Sequence, residues 1–352
     1  MSSCASLTST VSPSWEWRRG SDLRLDGKRA GKTLDRIRVG VVGVGALGQH
    51  HARVYASLPQ VELVGVVDSM PGRAAEIGVP LGATIFTDHR ELFGKVDAVS
   101  IATPTTTHAP IGESFLNEGV HVLVEKPISG SIDAAQSLVA AAKRNDRVLQ
   151  VGHLERFNPA VRALRGIVND PRFFEAHRLG LFAPRSLDID VILDLMIHDL
   201  DIISLLVPFP VTYVDAVGIA ILSRRIDIAN ARIRFSNGCV ANVTASRVSM
   251  EKIRKLRLFQ SQHYISLDYT RQDVSVFSLG EAVGQSTPKI SSYRITPPHQ
   301  EPLRLELEAF VAAVQGRGPV ECPGEEAIRA LDLALQIHEH AERAQAREFD
   351  RR

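Results

Sequence analysis

The sequence is poor in cysteine, in net charge and in long apolar runs. Its 352 residues hold only Cys4, Cys239 and Cys322, which lie far apart and form no CxxC or Cys/His spacing. A disulfide framework or zinc site is therefore not expected, and a cytoplasmic, reducing location is. No run reaches the roughly 18 uninterrupted apolar residues of a membrane helix. The formal net charge of +1 attracts neither nucleic acid nor a membrane surface, so small molecules and protein chains are the expected partners.

The composition is otherwise that of a folded protein, with 44% hydrophobic and 23% charged residues. At about 150 residues per domain, the length predicts two domains. Residues 1–36 show no periodicity and are predicted to be a flexible extension. Over residues 37–152, short strands alternate with helices, which predicts a Rossmann domain with a doubly wound parallel sheet. Over residues 153–347, consecutive strands follow one another, which predicts an α+β domain with a mostly antiparallel open sheet.

A glycine loop joins the first predicted strand to a helix. Its pattern is GxGxxG, and its residues are Gly43, Val44, Gly45, Ala46, Leu47 and Gly48. Gly43 permits a tight turn, Gly45 lets a pyrophosphate approach the backbone, and Gly48 permits close helix–strand packing. Asp68 lies 20 residues further on, at the end of the next strand, where a carboxylate can bind a ribose 2′-hydroxyl and repel a 2′-phosphate. This loop predicts a dinucleotide site, with NAD favoured over NADP.

A polar segment follows a later strand of the same predicted sheet. Thr103 and Pro104 come directly after the strand Asp97–Ala102, and the loop continues to His108. The carboxyl ends of parallel strands form the edge where such sheets bind ligands. We therefore expect Thr103, Pro104 and His108 to line the cofactor. For residues 105–107, an ordinary polar loop is the preferred interpretation.

Glu125, Lys126 and Pro127 follow the apolar strand His121–Val124. A lysine at the mouth of such a strand lies near the nicotinamide end of the cleft, where it is a candidate for general acid–base chemistry. Glu125 is predicted to contact the cofactor. The alternative is a surface lysine beside a proline turn, and the strand-end position argues against it.

An apolar helix near 191–206 carries four polar residues at i, i+4, i+8 and i+11: Asp190, Asp194, His198 and Asp201. This spacing places them on one stripe of a mostly buried helix. Buried carboxylates need partners or a wet cavity, and a cleft facing a polar substrate supplies one. Asp194 and His198 are the predicted pair for binding and deprotonating a sugar hydroxyl. The alternatives are a helix N-cap, a satisfied core histidine, or a metal site, for which no further ligands are apparent.

These motifs, in this order, resemble the Gfo/Idh/MocA family of dinucleotide-dependent oxidoreductases. The resemblance covers about residues 37–345 and is carried by VGVVGVGALGQHHARVY, DAVSIATPTTTHAP, VLVEKP and the helix with Asp194 and His198. It implies a Rossmann domain, a substrate domain that often builds a homo-oligomer (a dimer or tetramer), and oxidation of a secondary alcohol on a sugar or cyclitol. Lys126, Asp194 and His198 are implied to act at the reacting carbon. Many members carry glycine where this chain has Met196.

The stretch GHLERFNP, residues 152–159, narrows the resemblance to the subgroup that oxidises the C3 hydroxyl of UDP-N-acetylglucosamine. On this interpretation Arg156 pairs with a diphosphate and Asn158 binds sugar hydroxyls. An Arg–Glu pair on the surface and an Asn-Pro helix start are the structural alternatives. Other functions left open are a cyclitol or free-sugar dehydrogenase, an NAD-dependent glycosidase and a non-catalytic NAD-binding sensor.

Overall fold

The computed structural model describes residues 36–182, 189–280 and 289–349. Except for Arg36, the predicted extension over residues 1–36 lies outside the described residues. Arg36 donates two hydrogen bonds, of 2.9 and 2.5 Å, to the carbonyl oxygen of Val61. Within the described ranges no helix has both the length and the apolar character needed to cross a bilayer.

The first sheet is parallel and has six strands in the order β3-β2-β1-β4-β5-β6. In chain order the strands are β1 (Ile37–Val42), β2 (Val61–Val67), β3 (Thr84–Phe86), β4 (Ala98–Ile101), β5 (His121–Glu125) and β6 (Leu149–Gly152). The four residues of β4 are all buried, as in sheets that are covered by helices on both faces. The predicted doubly wound parallel sheet is confirmed.

The second sheet has eight strands in the order β14-β13-β12-β11-β7-β10-β9-β8. They are β7 (Phe173–Leu179), β8 (Val211–Ile219), β9 (Ile228–Phe235), β10 (Val240–Ser246), β11 (Ile253–Gln260), β12 (His263–Asp268), β13 (Asp273–Leu279) and β14 (Ile290–Ile295). Only the β7–β10 pair is parallel, so the predicted mostly antiparallel sheet is confirmed.

Eight α-helices accompany the sheets within the described part of the chain: α1 (Gly48–Ser57), α2 (Pro71–Gly78), α3 (His108–Asn117), α4 (Ile132–Arg144), α5 (Pro159–Leu164), α6 (Ile197–Leu206), α7 (Pro302–Val314) and α8 (Gly324–Phe349). Ser131 caps α4, as expected, by accepting a hydrogen bond from the backbone N–H of Ala134 at 3.3 Å. A π-helical turn, Ile192–Met196, directly precedes α6. Such turns are often found at functional sites.

The end of the chain returns to the first sheet. Leu307, Phe310 and Val311 of α7 are fully buried in the same core cluster as strands β1 and β2 and helix α1. Cys322 and Leu331 lie in the core on the other side of that sheet. The domain boundary at residues 152/153 therefore remains a prediction. It separates the strands of the two sheets along the chain, but apolar residues beyond 300 also help to bury the first sheet.

Candidate active site

The glycine loop has the backbone geometry that a pyrophosphate site requires. Gly43 has a φ of 82°, and a Cβ on Gly48 would lie 1.8 Å from the Gly43 carbonyl oxygen. A Cβ on Gly45 would meet nothing within 4 Å, so its backbone is open to a ligand. Helix α1 starts here with no side-chain cap and no acidic residue in its first turn. Its positive end suits the phosphates of a dinucleotide.

Asp68 closes the side of this loop. Its carboxylate accepts hydrogen bonds from the backbone N–H groups of Val44, at 3.1 Å, and Met70, at 3.0 Å. Arg73 reaches the same loop, where its Nε donates to the carbonyl oxygen of Val44 at 2.9 Å, and it pairs with Glu76 at 2.8 Å. The residues present fit NAD, because the carboxylate at the end of β2 is held beside the glycine loop by the loop's own backbone.

The loop after β4 is connected to the loop after β5 by His108. Its Nδ1 lies 2.8 Å from the carbonyl oxygen of Pro127, and its Nε2 lies 2.8 Å from that of Thr103. Burial lowers the pKa of His108, although the two carbonyl contacts act in the opposite direction. Through these two contacts the ring positions the two loops. The Thr107 hydroxyl donates to the Thr103 hydroxyl at 2.7 Å.

Lys126 spans the cleft between the two sheets. Its Nζ donates to the carbonyl oxygen of Asp194 at 2.7 Å and lies 3.2 Å from the Asp194 carboxylate. The Lys126 side chain is 10% exposed and that of Asp194 is 30% exposed. Asp194 lies in the π-helical turn, so the strand end of the first sheet and the helix of the second layer meet at this pair. The Lys126–Asp194 pair remains exposed enough to contact a substrate.

His198 lies one turn further along and is partly buried. Its Nδ1 is enclosed and has no hydrogen-bond partner among the residues that the structure describes. Burial, followed by the positive charges of Lys126 and Arg178, lowers the pKa of His198 well below its usual value. A neutral imidazole with an unpaired nitrogen is able to accept a proton.

His153 is a buried residue next to the candidate site, and the sequence motif contains it without pointing to a role. Glu125 pairs with Gly152 in the sheet, so Lys126 and His153 leave two neighbouring strands side by side. His153 is 1% exposed, and in the described ranges neither of its ring nitrogens has a hydrogen-bond partner. Its Nδ1 lies 3.8 Å from Asp201. The signal in the sequence was a histidine directly after a strand, where that strand is the neighbour in the sheet of the one that precedes the lysine.

Arg156 is not in the cleft, which contradicts the prediction that it pairs with a diphosphate. It is 2% exposed, and its guanidinium donates to both oxygens of Asp201, at 2.8 and 2.6 Å. The remaining donors go to the carbonyl oxygen of Glu321, at 3.2 Å, and to the carboxylate of Glu326. Four hydrogen bonds within the protein leave this arginine a structural role, but in the interior, so the surface Arg–Glu pair is not what the structure has either.

Asn158 also has a structural role in place of the expected sugar contact. Its side-chain oxygen accepts from the backbone N–H of Ala160 at 3.1 Å, which caps helix α5. Its amide donates to the carboxylate of Glu155, at 3.2 Å, and to the carbonyl oxygen of Tyr269, at 3.0 Å. Asn158 is 2% exposed, so no polar atom is left for a substrate. The Asn-Pro helix start is the correct interpretation.

The four residues of the predicted polar stripe do not act together in the structure, because two of them have partners elsewhere in the protein. Asp190 accepts from the backbone N–H groups of Ile192 and Leu193, at 2.8 and 3.0 Å, and pairs with His338 at 3.1 Å. Asp201 is occupied by the arginine described above. The wider π-helical turn between Asp190 and His198 changes the spacing on which the stripe was based. Of the four stripe residues, Asp194 and His198 remain as candidates for chemistry.

One cavity of about 170 Å³ brings most of the predicted residues together. Seven of its lining residues were predicted as site residues: Leu47, Thr103, Pro104, His108, Glu125, Lys126 and Asp194. Ala102 and Ile189 complete its apolar part. The glycine loop, the carboxyl ends of two parallel strands and the helix of the second layer thus enclose a cleft with a lysine–aspartate pair at one end. Such a cleft is typical of an NAD-dependent oxidoreductase that acts on CH–OH groups.

The chain belongs to the Gfo/Idh/MocA oxidoreductases. The family model described as "Oxidoreductase family, NAD-binding Rossmann fold" matches residues 37–153. A UDP-N-acetylglucosamine 3-dehydrogenase of Acidithiobacillus ferrooxidans is 40% identical over 302 residues, which cover 86% of this chain and 96% of that protein. A solved structure of that enzyme has a TM-score of 0.82 and covers 87% of this chain and 98% of its own, at 39% identity.

More distant relatives share the same architecture. An inositol 2-dehydrogenase of Rhizobium meliloti is 25% identical over 315 residues, which cover 85% of this chain and 94% of that protein. A levoglucosan dehydrogenase in complex with NADH and levoglucosan has a TM-score of 0.77 at 20% identity and covers 88% of this chain and 98% of its own. At that identity the likeness shows a shared fold.

Proposed function

We propose that the protein oxidises the C3 hydroxyl of a nucleotide sugar, with UDP-N-acetylglucosamine as the first candidate, to the 3-keto sugar. The observation that supports the chemistry is the contact between Lys126 and Asp194 at the nicotinamide end of the cleft. The substrate is inferred from the similarity to the A. ferrooxidans enzyme over most of both chains. Arg156 gives no support, because its donors are used within the protein.

Lys126, Asp194 and His198 divide the work at the reacting alcohol. Bound NAD⁺ supplies the acceptor for the hydride that leaves the carbon. Lys126 and Asp194 hold the hydroxyl and orient it, since both polar ends meet at the mouth of β5. His198 takes the hydroxyl proton as the C–H bond breaks and the C=O bond forms, because burial and the nearby positive charges keep its ring neutral. The cofactor would be held by Gly43, Gly45, Ala46, Leu47, Gly48 and Asp68, together with Thr103, Pro104, His108 and Glu125.

Incubation with NAD⁺ and UDP-N-acetylglucosamine tests this function. We expect NADH absorbance to rise, and trapping with borodeuteride to place deuterium at C3 of the sugar. A coupled aminotransferase removes the ketone if the equilibrium favours the alcohol. The Lys126→Ala variant is the negative control. A cofactor-loaded enzyme that oxidises no UDP-sugar under coupled conditions contradicts the proposal.

A cyclitol or free sugar is the second candidate substrate. The burial of Arg156 favours it, because the residue assigned to the diphosphate is not free to bind one. The relative from R. meliloti acts on inositol. A panel of inositols and aldoses, assayed beside UDP-sugars at equal concentration, separates the two. Turnover of myo-inositol but not of the nucleotide sugar would replace the first proposal.

We infer that the protein is a homo-oligomer, a dimer or tetramer, which uses the open face of the second sheet. Phe173, Phe259, Tyr264 and Phe277 form a row of rings on this sheet, with centroids 4.9 to 5.8 Å apart. Phe259 and Phe277 are each 39% exposed. A contiguous exposed apolar face is typical of a surface that pairs with another chain.

Light scattering on the full chain tests this inference. We expect Phe259→Glu to shift the protein toward monomer, because a charge at the centre of the face opposes its burial. Val79→Glu adds the same charge to a residue that is 68% exposed in the first layer, and it is the matched control. An unchanged mass for both variants contradicts the inference.

A cytoplasmic location is the remaining part of the proposal. Cys239 and Cys322 are free and buried, which suits a reducing compartment. Cell fractionation with a tagged full-length chain tests this, and recovery outside the cytoplasmic fraction contradicts it.

A further inference from the structure

Asp190 holds the start of the π-helical turn that carries Asp194. Its side chain is 6% exposed, and one carboxylate oxygen accepts from the backbone N–H groups of Ile192 and Leu193, at 2.8 and 3.0 Å. The backbone of Asp190 takes part as well, because its carbonyl oxygen accepts from the backbone N–H of Asp194 at 3.0 Å. Three hydrogen bonds therefore tie Asp190 to the turn, and the last of them reaches the residue that contacts Lys126.

The second carboxylate oxygen of Asp190 faces His338 on helix α8. The Oδ2 of Asp190 lies 3.1 Å from Nδ1 of His338, and the Oε1 of Glu342 lies 3.2 Å from Nε2 of the same ring. Within the described part of the chain Nδ1 has no aligned hydrogen-bond partner, so the contact with Asp190 depends on charge. An imidazole that lies between two carboxylates is expected to carry a proton on both nitrogens.

Two arginines lie near this pair in the described ranges. Arg225, in the connection between β8 and β9, opposes the positive charge on His338. Arg247 follows β10, and its guanidinium donates to the carbonyl oxygen of Ile189 at 2.6 Å and pairs with Asp227 at 3.2 Å. Arg247 thus fixes the backbone one residue before Asp190, whereas His338 contacts the Asp190 side chain.

Asp190 and His338 shift each other's titration. The contact with Asp190 raises the pKa of His338 above its usual value, against burial and the charge of Arg225. Burial opposes the ionisation of Asp190, but His338 and the backbone N–H of Leu193 outweigh it and lower the pKa of that carboxyl. The ion pair is therefore present at about pH 6, and its stabilising effect is lost as the pH rises through the pKa of the folded-state His338.

We propose that His338 is a positioning residue, whose charge holds Asp190 and, through it, the π-helical turn. The turn presents Asp194 to Lys126, whose Nζ donates to the carbonyl oxygen of Asp194 at 2.7 Å and lies 3.2 Å from its carboxylate. A shift of the turn changes both contacts at once. The proposal rests on the proposed role of Asp194 at the reacting alcohol, and it adds a residue of α8 that touches neither substrate nor cofactor.

Hydrogen exchange of the full-length protein, without cofactor or sugar, tests the hold on the turn. We expect His338→Gln to lower the protection of the backbone N–H groups of residues 192–194 by about tenfold at pH 6, because a neutral amide does not form the ion pair. Two pH units above the pKa of the ring, which an NMR titration measures, protection corrected for intrinsic exchange should be the same in both proteins.

The matched control is His340→Gln, two residues further along α8 and therefore on another side of that helix. It should leave the protection of residues 192–194 unchanged at both pH values. Equal protection of the wild type and His338→Gln at pH 6 overturns the proposal.

The Asp190→Asn variant tests the route through Asp190. Asparagine keeps an oxygen that can cap the turn but removes the charge. In this background His338→Gln should change the protection by less than about twofold, because the charge on which His338 acts is already gone. An undiminished effect means that His338 acts on the turn by another route, and the proposal is then wrong.

Initial rates with NAD⁺ and UDP-N-acetylglucosamine test the link to the reaction. The ratio of kcat between the wild type and His338→Gln should be on the order of tenfold at pH 6 and fall toward about 1 above the pKa of the ring. Ionisations common to both proteins cancel in this ratio, so a merely structural role would give a ratio independent of pH and would overturn the proposal. If no sugar is oxidised, the proposed function fails, whereas the exchange measurements still decide whether His338 holds the turn.

Discussion

Two sets of charged side chains lie where the two sheets meet. They differ in whether protein partners already use all of their hydrogen-bond donors and acceptors, in which case we call the set saturated. In the cleft, the side chains of Lys126 and Asp194 are 10% and 30% exposed, and their contact leaves donors and acceptors free. A few residues away, Arg178 and Asp199 are 3% and 1% exposed. Arg178 donates to Asp199 at 2.6 Å and to Glu155 at 2.9 Å. Similar residue types are thus left open to a ligand in one place and hold the layers together in the other.

The saturated set connects several elements. Arg178 of β7 binds Asp199 of α6 and lies 4.8 Å over the ring of Tyr269. Arg156 joins the segment after β6 to Asp201 of α6 and to Glu326 of α8. Buried ion pairs add little net stability, but breaking one leaves an unpaired charge in the interior. Mutations should therefore act on catalysis in the open set and on stability in the saturated set.

The largest expected effect is in the open set. Lys126→Ala should lower kcat by about 10²-fold or more, because the lysine orients the reacting hydroxyl. The melting temperature should change little, because the lysine is partly exposed. Steady-state kinetics and thermal denaturation measure both. Lys143→Ala, at an exposed site on α4, is the control. A stability loss as large as the kinetic one contradicts the division between the two sets.

Arg156→Met should act in the opposite way. It leaves Asp201 buried and unpaired and should lower the free energy of unfolding by about 3–5 kcal/mol. The KM for the sugar should stay unchanged in the folded fraction. Denaturant unfolding and initial rates measure this. Arg156→Met with Asp201→Leu should recover part of the loss, and Arg90→Met, at an exposed pair, is the control. A raised KM without loss of stability would restore the substrate role.

Asp68 is an intermediate case, since two backbone N–H groups hold it at the edge of the open loop. Asp68→Ser should reduce the preference for NAD over NADP by roughly tenfold, about 1.4 kcal/mol, because the repulsion of a 2′-phosphate is removed. The ratio of kcat/KM for the two cofactors measures it. Asp97→Ser, in an exposed ion pair before β4, is the control. An unchanged ratio places the specificity elsewhere.

The smallest effect expected is a shift in pH dependence. The pKa of His198 is lowered by burial and by Lys126, so the ring loses its proton below the usual histidine value of about 6.5. As a base it is active when neutral, so activity should persist through pH 6.5 and fall only at lower pH. Lys126→Met removes a positive charge and should therefore raise the pKa of His198. The acidic limb of the residual activity should then move to higher pH. A wild-type limb above pH 6.5 contradicts a neutral His198 as the base.

The structure also explains a strand that sequence patterns did not predict. In β7, the inward positions include Arg178, which is buried only because Asp199 and Glu155 receive it. A charged residue at a core position removes the alternation of polar and apolar residues by which a strand is identified. β7 also pairs in parallel with β10, more than sixty residues away, which local sequence does not report.

The NAD-binding half was determined largely by local sequence. A glycine is favoured where φ is positive, as at Gly43, and required where a Cβ would clash with the backbone, as at Gly48. An apolar β-branched segment forms a buried strand. Only the tertiary structure decided which charged side chains still have hydrogen-bond donors or acceptors free for a ligand. Arg156 and Asp201 pair across 45 residues, and Lys126 meets Asp194 across 68. Whether a side chain is saturated depends on such distant partners, because residue type fixes how many hydrogen bonds it can make but not where its partners lie.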